Sequence, residues 1–435
     1  MDFNVLSLNQ SLIDFIHHSP TPFHAVSNIC SRLQEQGFQS LDEKQPWQLT
    51  QGQGYFVTRN DSSIVAFYHA DQSMADHGIR MIGAHTDSPC LKVKPNAELF
   101  RSGYVQLGVE VYGGVLLNPW FDRELGLAGK VSFTDTQGQI QHQLINLNQP
   151  IGMIPSLAIH LDRTANKDRS INPQTDIPVV LSLSQNNVFS FKDFLAETIN
   201  TNLTDPLCAK VLDYELSFYD INKGSIFGLD NDFIASSRLD NLLSCCVGLE
   251  AFLASGNEQH KLFVFNDHEE VGSQSAVGAA GPFLKDVLTR IAGSNQTFIQ
   301  AMQNSFMISI DNAHALHPNY ANKHDLQHGP LINHGPVIKI NSNQRYASNS
   351  ESQALFRWLC EQESIPVQSF VVRSDMACGS TIGPITAAEL GVRTLDLGVP
   401  TWGMHSIRET CGTQDCDHLF KALARYFGLQ VSHFS

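Results

Sequence analysis

From residue 239 to residue 310 the chain alternates between two periodicities. An apolar helical pattern over 239–255 gives way to a continuous apolar run over 262–266, then a second helical pattern over 282–291 and a second apolar run over 306–310. Helical spacing buries one stripe, whereas an unbroken run of Leu, Phe, Val and Ile buries both faces of a strand. Strands of that kind alternating with helices predict an α/β fold, a mostly parallel sheet covered by helices. Nearer the N-terminus, Leu8, Leu12, Phe15 and Ile16, then Phe23, Val26, Ile29 and Leu33, predict two helices parted at Ser19-Pro20-Thr21-Pro22, and residues 63–69 and 79–84 read as strands. Between these parts the texture changes. Short strands at 104–112, 130–134 and 179–183, separated by polar turns, predict an inserted strand-rich domain over 93–233, with 1–92 and 234–435 forming one catalytic domain. A chain of 435 residues exceeds what one core usually serves, which agrees with two domains.

The net charge of −15 excludes nucleic acid and an anionic membrane as natural partners, since both demand a basic surface. Nine cysteines without a CxxC pair fit neither a disulfide framework nor a structural zinc finger, so a reducing, cytoplasmic setting is expected. The N-terminus lacks a basic segment ahead of an apolar one, and nowhere do eighteen apolar residues run together, so neither export nor membrane insertion is expected.

Chemistry concentrates where the apolar strands stop. KLFVFNDHEEVGS (261–273) ends in two adjacent carboxylates, Glu269 and Glu270, whose side chains project to different sides, so that one can bind a cation while the other faces a water. Four further segments offer donors in similar settings: His85 and Asp87 in IGAHTDSP, Asp240 in SSRLDNL, Asp311 in MISIDNAHALHPNY and His405 in TWGMHSIRE. Singly each is weak, and Asp240 could equally be a helix cap. Together, and without HExxH, GxSxG or a P-loop as competitors, they predict a two-metal hydrolytic site. We assign Asp240 as a shared carboxylate, His85 and Asp311 to one ion, Glu270 and His405 to the other, and Glu269 as the general base acting on a bridging water or hydroxide. Asp87 would orient the imidazole of His85. Spacing alone does not settle which donor serves which ion. Imidazole and carboxylate donors favour zinc, two Zn2+ per subunit, with Co2+ or Mn2+ as substitutes.

These segments, with DNAHALHPNY (311–320), GPVIKINSNQRYASN (335–349), CGSTIGP (378–384) and MHSIRE (404–409), resemble the aspartyl aminopeptidase family of metallopeptidases over nearly the whole chain. The resemblance implies a phosphorylase/hydrolase-like zinc peptidase catalytic domain carrying an inserted dimerisation domain, assembled as a homo-oligomer, a tetrahedral dodecamer. The activity it implies is removal of N-terminal Asp or Glu from peptides, with the ligand and base roles falling on the residues just named. It also implies that His160 in LAIHLDR reaches into a neighbour's active site and that Lys339, with Tyr346 close by, binds the substrate's acidic side chain. Arg345 and Arg373 are rival cations. Ser374, Ala377 and the glycine-poor YGGVLLNPW (112–120) depart from the family pattern, which leaves the ligand set untouched but puts first-residue selectivity in question. A dinuclear aminopeptidase of broader specificity is therefore the alternative.

Overall fold

The computed structural model describes residues 5–433, apart from 185, 187 and 202. The chain divides into two compact units: Met1–Ser88 with Gly224–Met404 and Arg408–Ser435, and Pro89–Lys223 with His405–Ile407.

The first unit is built on nine strands: β1 (Gln39–Ser40), β2 (Gln53–Arg59), β3 (Ser63–His69), β4 (Arg80–His85), β5 (Lys261–Asn266), β6 (Phe306–Ile310), β7 (Val337–Ile340), β8 (Gln368–Val371) and β9 (Arg393–Gly398). Their order is β1-β2-β3-β5-β4-β6-β9-β7-β8. The central run β5, β4, β6 and β9 is parallel throughout, and β3 and β7 flank it antiparallel. All six residues of β4 and of β5 are buried, as expected of strands whose apolar centres, Met81–Ala84 and Leu262–Phe265, are covered on both faces. Alternate residues serve opposite faces: Phe263 and Phe265 join the helices Val5–His18, Pro22–Glu35, Leu239–Ala254 and Asp415–Phe427, while Leu262 and Val264 meet Phe283–Ala292 and Asn295–Gln303. Gly83 in β4 is required by this closeness, because a Cβ there would lie 2.5 Å from the Met307 side chain.

The second unit is a six-stranded antiparallel sheet whose order runs Ile140–Gly152, Leu125–Asp135, Cys208–Asp220, Cys90–Arg101, Tyr104–Tyr112, Val179–Leu183. Helix Phe191–Asn200 adds Phe191, Leu195 and Ile199 to its core. The expected insertion over 93–233 is corrected at both ends. Strand Cys90–Arg101 already pairs with Cys208–Asp220, which draws the boundary back to Pro89, whereas Ser225–Phe227 pairs with Phe233–Ser236 in a five-stranded sheet of the first unit.

Asp415, fully buried at the start of the last helix, accepts N–H groups of Asn333 (2.7 Å) and Gly335 (3.0 Å). Burial outweighs those bonds and pushes its carboxyl up to about 7. An acid raised by folding holds its proton more tightly in the folded chain, so its contribution is complete below the unfolded value near 4 and is lost as pH climbs through about 7. Asp415→Asn should therefore flatten the decline of stability between those limits. Denaturant unfolding of both proteins across that range checks it.

Candidate metal centre

Parallel pairing sets Asn266 beside His85 and Ser309 beside Gly83, so β5, β4 and β6 end together. Open α/β sheets place their sites beyond such carboxyl ends. His85 is the last residue of β4, Asp311 follows β6 directly, and Glu269 and Glu270 come three and four residues after β5. The two glutamates are not at the strand end itself. Asp267 and a left-handed His268 (φ 64°) intervene, and the pair opens a single 3-10 turn, Glu269–Val271. The turn brings a carboxylate oxygen of each glutamate within 4.8 Å of the other and of His85.

Asp240 lies in the irregular first residues of Leu239–Ala254, where it and Asn241 depart from helical dihedrals and their peptide bond is cis. It is therefore no ordinary cap. Its N–H donates to Glu409 Oε2 at 2.9 Å and its carbonyl accepts the Ser88 hydroxyl at 2.6 Å, while Asn241 Nδ2 donates to Ile310 O at 2.9 Å. The loop is thus tied to β4's exit and β6's end at once. Sequence reasoning passed over Ser88 and Glu409, although both sit inside the motifs it quoted.

The donors converge on one imidazole. His85 Nε2 lies 3.4 Å from Asp240 Oδ1, 3.5 Å from Asp311 Oδ1 and 4.0 Å from Glu269 Oε2. His85, Asp240 and Asp311 form one group whose ligand atoms all lie within 4.8 Å of one another, and His85, Glu269 and Glu270 form another. On its other side, His85 Nδ1 is 3.0 Å from the Asp87 carbonyl. Asp87 does more than orient this ring: its two carboxylate oxygens each accept one N–H at 3.1 Å, from Glu269 and from Glu270, which pins the turn carrying both glutamates.

Crowded acids raise one another. Burial, then Asp240, pushes Glu270 well above the usual carboxylate range, and burial, then Asp311 and Asp87, lifts Glu269 to about 8. Burial opposes charge on His85, but Asp240, Asp311 and Asp87 outweigh it and hold the ring well above its ordinary value. Burial would also raise Asp311, yet Lys339 Nζ, 3.0 Å from Asp311 Oδ2, holds it well below the usual range. A buried nest of carboxylates with one imidazole is the donor chemistry of a divalent cation, whose charge would relieve this mutual repulsion, so the residues present fit zinc.

The remaining predicted residues are placed as follows. Lys339 is 2% exposed on β7, and its ammonium lies 5.4 Å from the centre of the Tyr346 ring. His405 has φ 69°; it falls in the short stretch that groups with the inserted unit, where its Nδ1 is 3.0 Å from Gly114 O. His160 is exposed on a turn of that unit. Arg373 is committed to Asp375 through two bonds of 2.9 and 2.7 Å, and Arg345 Nε donates to Cys378 O at 3.4 Å.

Parallel strands that end in carboxylates gathered round one imidazole define a metallohydrolase. Residues 15–427 match the family model described as aminopeptidase I zinc metalloprotease (M18). A probable M18 family aminopeptidase 2 from Ectopseudomonas mendocina is 56% identical over 421 residues, covering 97% of this chain and 98% of its relative. In the cryo-EM structure of the Ape4 and Nbr1 complex, a chain 38% identical superposes with a TM-score of 0.93, over 97% of this chain and 86% of that one. The mApe1 dodecamer of S. cerevisiae is 26% identical with a TM-score of 0.84, over 98% and 97%. The chain belongs to the M18 peptidase family: it is an aspartyl aminopeptidase-like zinc metallo-aminopeptidase, as its motifs led one to expect. Among the described residues, no helix is long and apolar enough to cross a membrane.

Asp87 offers a direct test of this architecture. Asp87→Ala removes the acceptor for both glutamate N–H groups, and zinc affinity should drop about 10- to 100-fold. Equilibrium zinc titration against a competing chelator reads the loss, and activity should return as free zinc is raised.

Proposed function

We propose that this chain is a dizinc aminopeptidase that prefers peptides beginning with Asp or Glu. The observation carrying the reading is the convergence of donors that follow three adjacent parallel strands. His85 and Asp311 would hold one ion, Glu270 and His405 the other, and Asp240 would be shared between them. When bound, the zinc pair polarises the scissile carbonyl and makes a water nucleophilic at neutral pH.

Glu269 takes the proton of the attacking water and returns it to the departing amine. Its backbone is fixed by Asp87, so the carboxylate is carried on a restrained turn rather than a free loop. Asp87 also keeps the His85 ring oriented through the carbonyl contact at Nδ1.

Selection of an acidic first residue falls to Lys339. An ammonium has three donors, and one of them is used by Asp311, which leaves the others for a substrate carboxylate beside Tyr346. A charge-assisted bond of this kind contributes roughly 1.5–3 kcal/mol, about one to two decades of preference. Long-range attraction cannot supply it, because a chain of net charge −15 repels an acidic peptide and salt screens beyond about 8 Å. Arg373 is engaged with Asp375 on an exposed loop and is the weaker candidate. The engagement of Lys339 by Asp311 also favours a second reading, the same chemistry with a broader first-residue preference. We further propose that the inserted unit mediates dimerisation, that the chain assembles as the mApe1 dodecamer does, and that His160 completes a neighbour's site; its exposure on a turn supports this.

Steady-state kcat/KM on matched chromogenic substrates with N-terminal Asp, Glu and Leu tests the proposal. The acidic substrates should lead by about tenfold or more, equivalent to about 1.4 kcal/mol, and a chelator should abolish every rate. Equal rates on Leu would leave the chemistry and sink the preference. Lys339→Ala should shrink the Asp-to-Leu ratio by about one to two decades. Glu269→Gln should lower kcat by about 10²- to 10⁴-fold at unchanged zinc content; an undiminished kcat in that variant places the reaction elsewhere.

A further inference from the structure

β9 contains an acid where the pattern calls for an apolar residue: Asp396, between Leu395 and Leu397, is 0% exposed. An unpaired buried carboxylate is costly, so its partners are informative. Oδ2 accepts the N–H of Ala347 at 2.6 Å, and Oδ1 accepts the hydroxyl of Thr381 at 2.5 Å. Its own N–H donates to the Ser348 hydroxyl at 3.0 Å. Gly383 makes room for it, since a Cβ there would lie 2.4 Å from Oδ1. Ala347 is the residue after Tyr346, and Thr381 closes the segment Cys378-Gly379-Ser380 before capping helix Ile382–Leu390. Each oxygen therefore holds a different loop. One loop brings Tyr346 to 5.4 Å from the Lys339 ammonium, and the other carries Cys378, whose carbonyl accepts Arg345 Nε.

We propose that Asp396 is a positioning residue for substrate selection: its carboxylate clamps the 345–349 loop to the 378–381 loop and so fixes the width of the pocket that receives the substrate's first side chain. This rests on the reading that Lys339 and Tyr346 line that pocket. Asp396 reaches neither the proposed metal donors nor Glu269 through any of these bonds, so its effect belongs to substrate binding rather than to bond cleavage. A carboxylate suits the task because it accepts at two oxygens at once. Asparagine keeps one acceptor oxygen for Ala347 N–H and can meet Thr381 only by donating to a rotated hydroxyl, which replaces a charge-assisted bond by a weaker neutral one.

The test is full kinetics of Asp396→Asn and Thr381→Val on the Asp and Leu substrates, with zinc content and unfolding midpoint measured alongside. For Asp396→Asn, KM on the Asp substrate should rise about tenfold, which is about 1.4 kcal/mol, with a much smaller change in kcat and a reduced Asp-to-Leu ratio. Thr381→Val, which cuts one loop only, should move in the same direction by less, and Thr381→Ser should restore the wild-type ratio. An unchanged Asp-to-Leu ratio in both variants of a selective wild-type enzyme overturns the inference alone. Equal losses on both substrates with a lowered unfolding midpoint overturn it too, because they mark a purely structural acid. Absence of acidic preference in the wild-type enzyme removes the pocket reading, and this inference with it. If Asp396→Asn does not fold, Thr381→Val decides.

Discussion

Asp87, Asp240, Glu269, Glu270 and Asp311 crowd about the imidazole of His85. Such a group repels itself in a low-dielectric interior, and the rest of the catalytic unit is arranged around that repulsion. The protein meets it without surrounding the site with cations. Backbone N–H groups do much of the work: both oxygens of Asp87 are satisfied by the glutamate turn, and Glu409 takes the N–H of Asp240. Lys339 places its ammonium 3.0 Å from Asp311 Oδ2. Zinc, the metal of this family, would relieve the repulsion that remains.

That dependence explains the strained backbone near the donors. Arg238, His268 and His405 are non-glycine residues at φ 56°, 64° and 69°, and they lie two residues before Asp240, one before Glu269, and at a proposed ligand. Left-handed conformations cost such residues about 1–3 kcal/mol each. Buried parallel strands are rigid enough to bear this, because β4 and β5 are covered on both faces. Loop precision here is inherited from the sheet.

How much of this the sequence disclosed follows from which forces act locally. The runs FMISI and LLSCCVGL were legible because elements covered on all sides write long apolar-rich runs into the residues. Donor residues could be picked out because imidazoles and carboxylates next to apolar strand ends are chemically conspicuous. The 3-10 turn was not legible: it depends on Asp87, 182 residues away, accepting the Glu269 N–H. The same holds for the domain boundary, since pairing of Cys90–Arg101 with Cys208–Asp220 is a long-range event that short windows cannot register. Asp396 did leave a mark, a lone acid in TLDLG, but only its two partners give that mark a meaning.

On the proposed reading, Lys339 meets two demands that pull against each other. A cation close to Asp311 lowers that carboxyl and helps it act as a ligand, while a cation that reads a substrate carboxylate must keep donors free. Arginine would deliver a planar fork and commit two donors in one direction, leaving less freedom for a second acid. Lysine, with three rotatable donors on a flexible stem, can hold Asp311 with one and still turn the others toward Tyr346. If Lys339 has both proposed roles, the residue type at position 339 is the compromise expected where one buried charge must serve a metal ligand and the substrate.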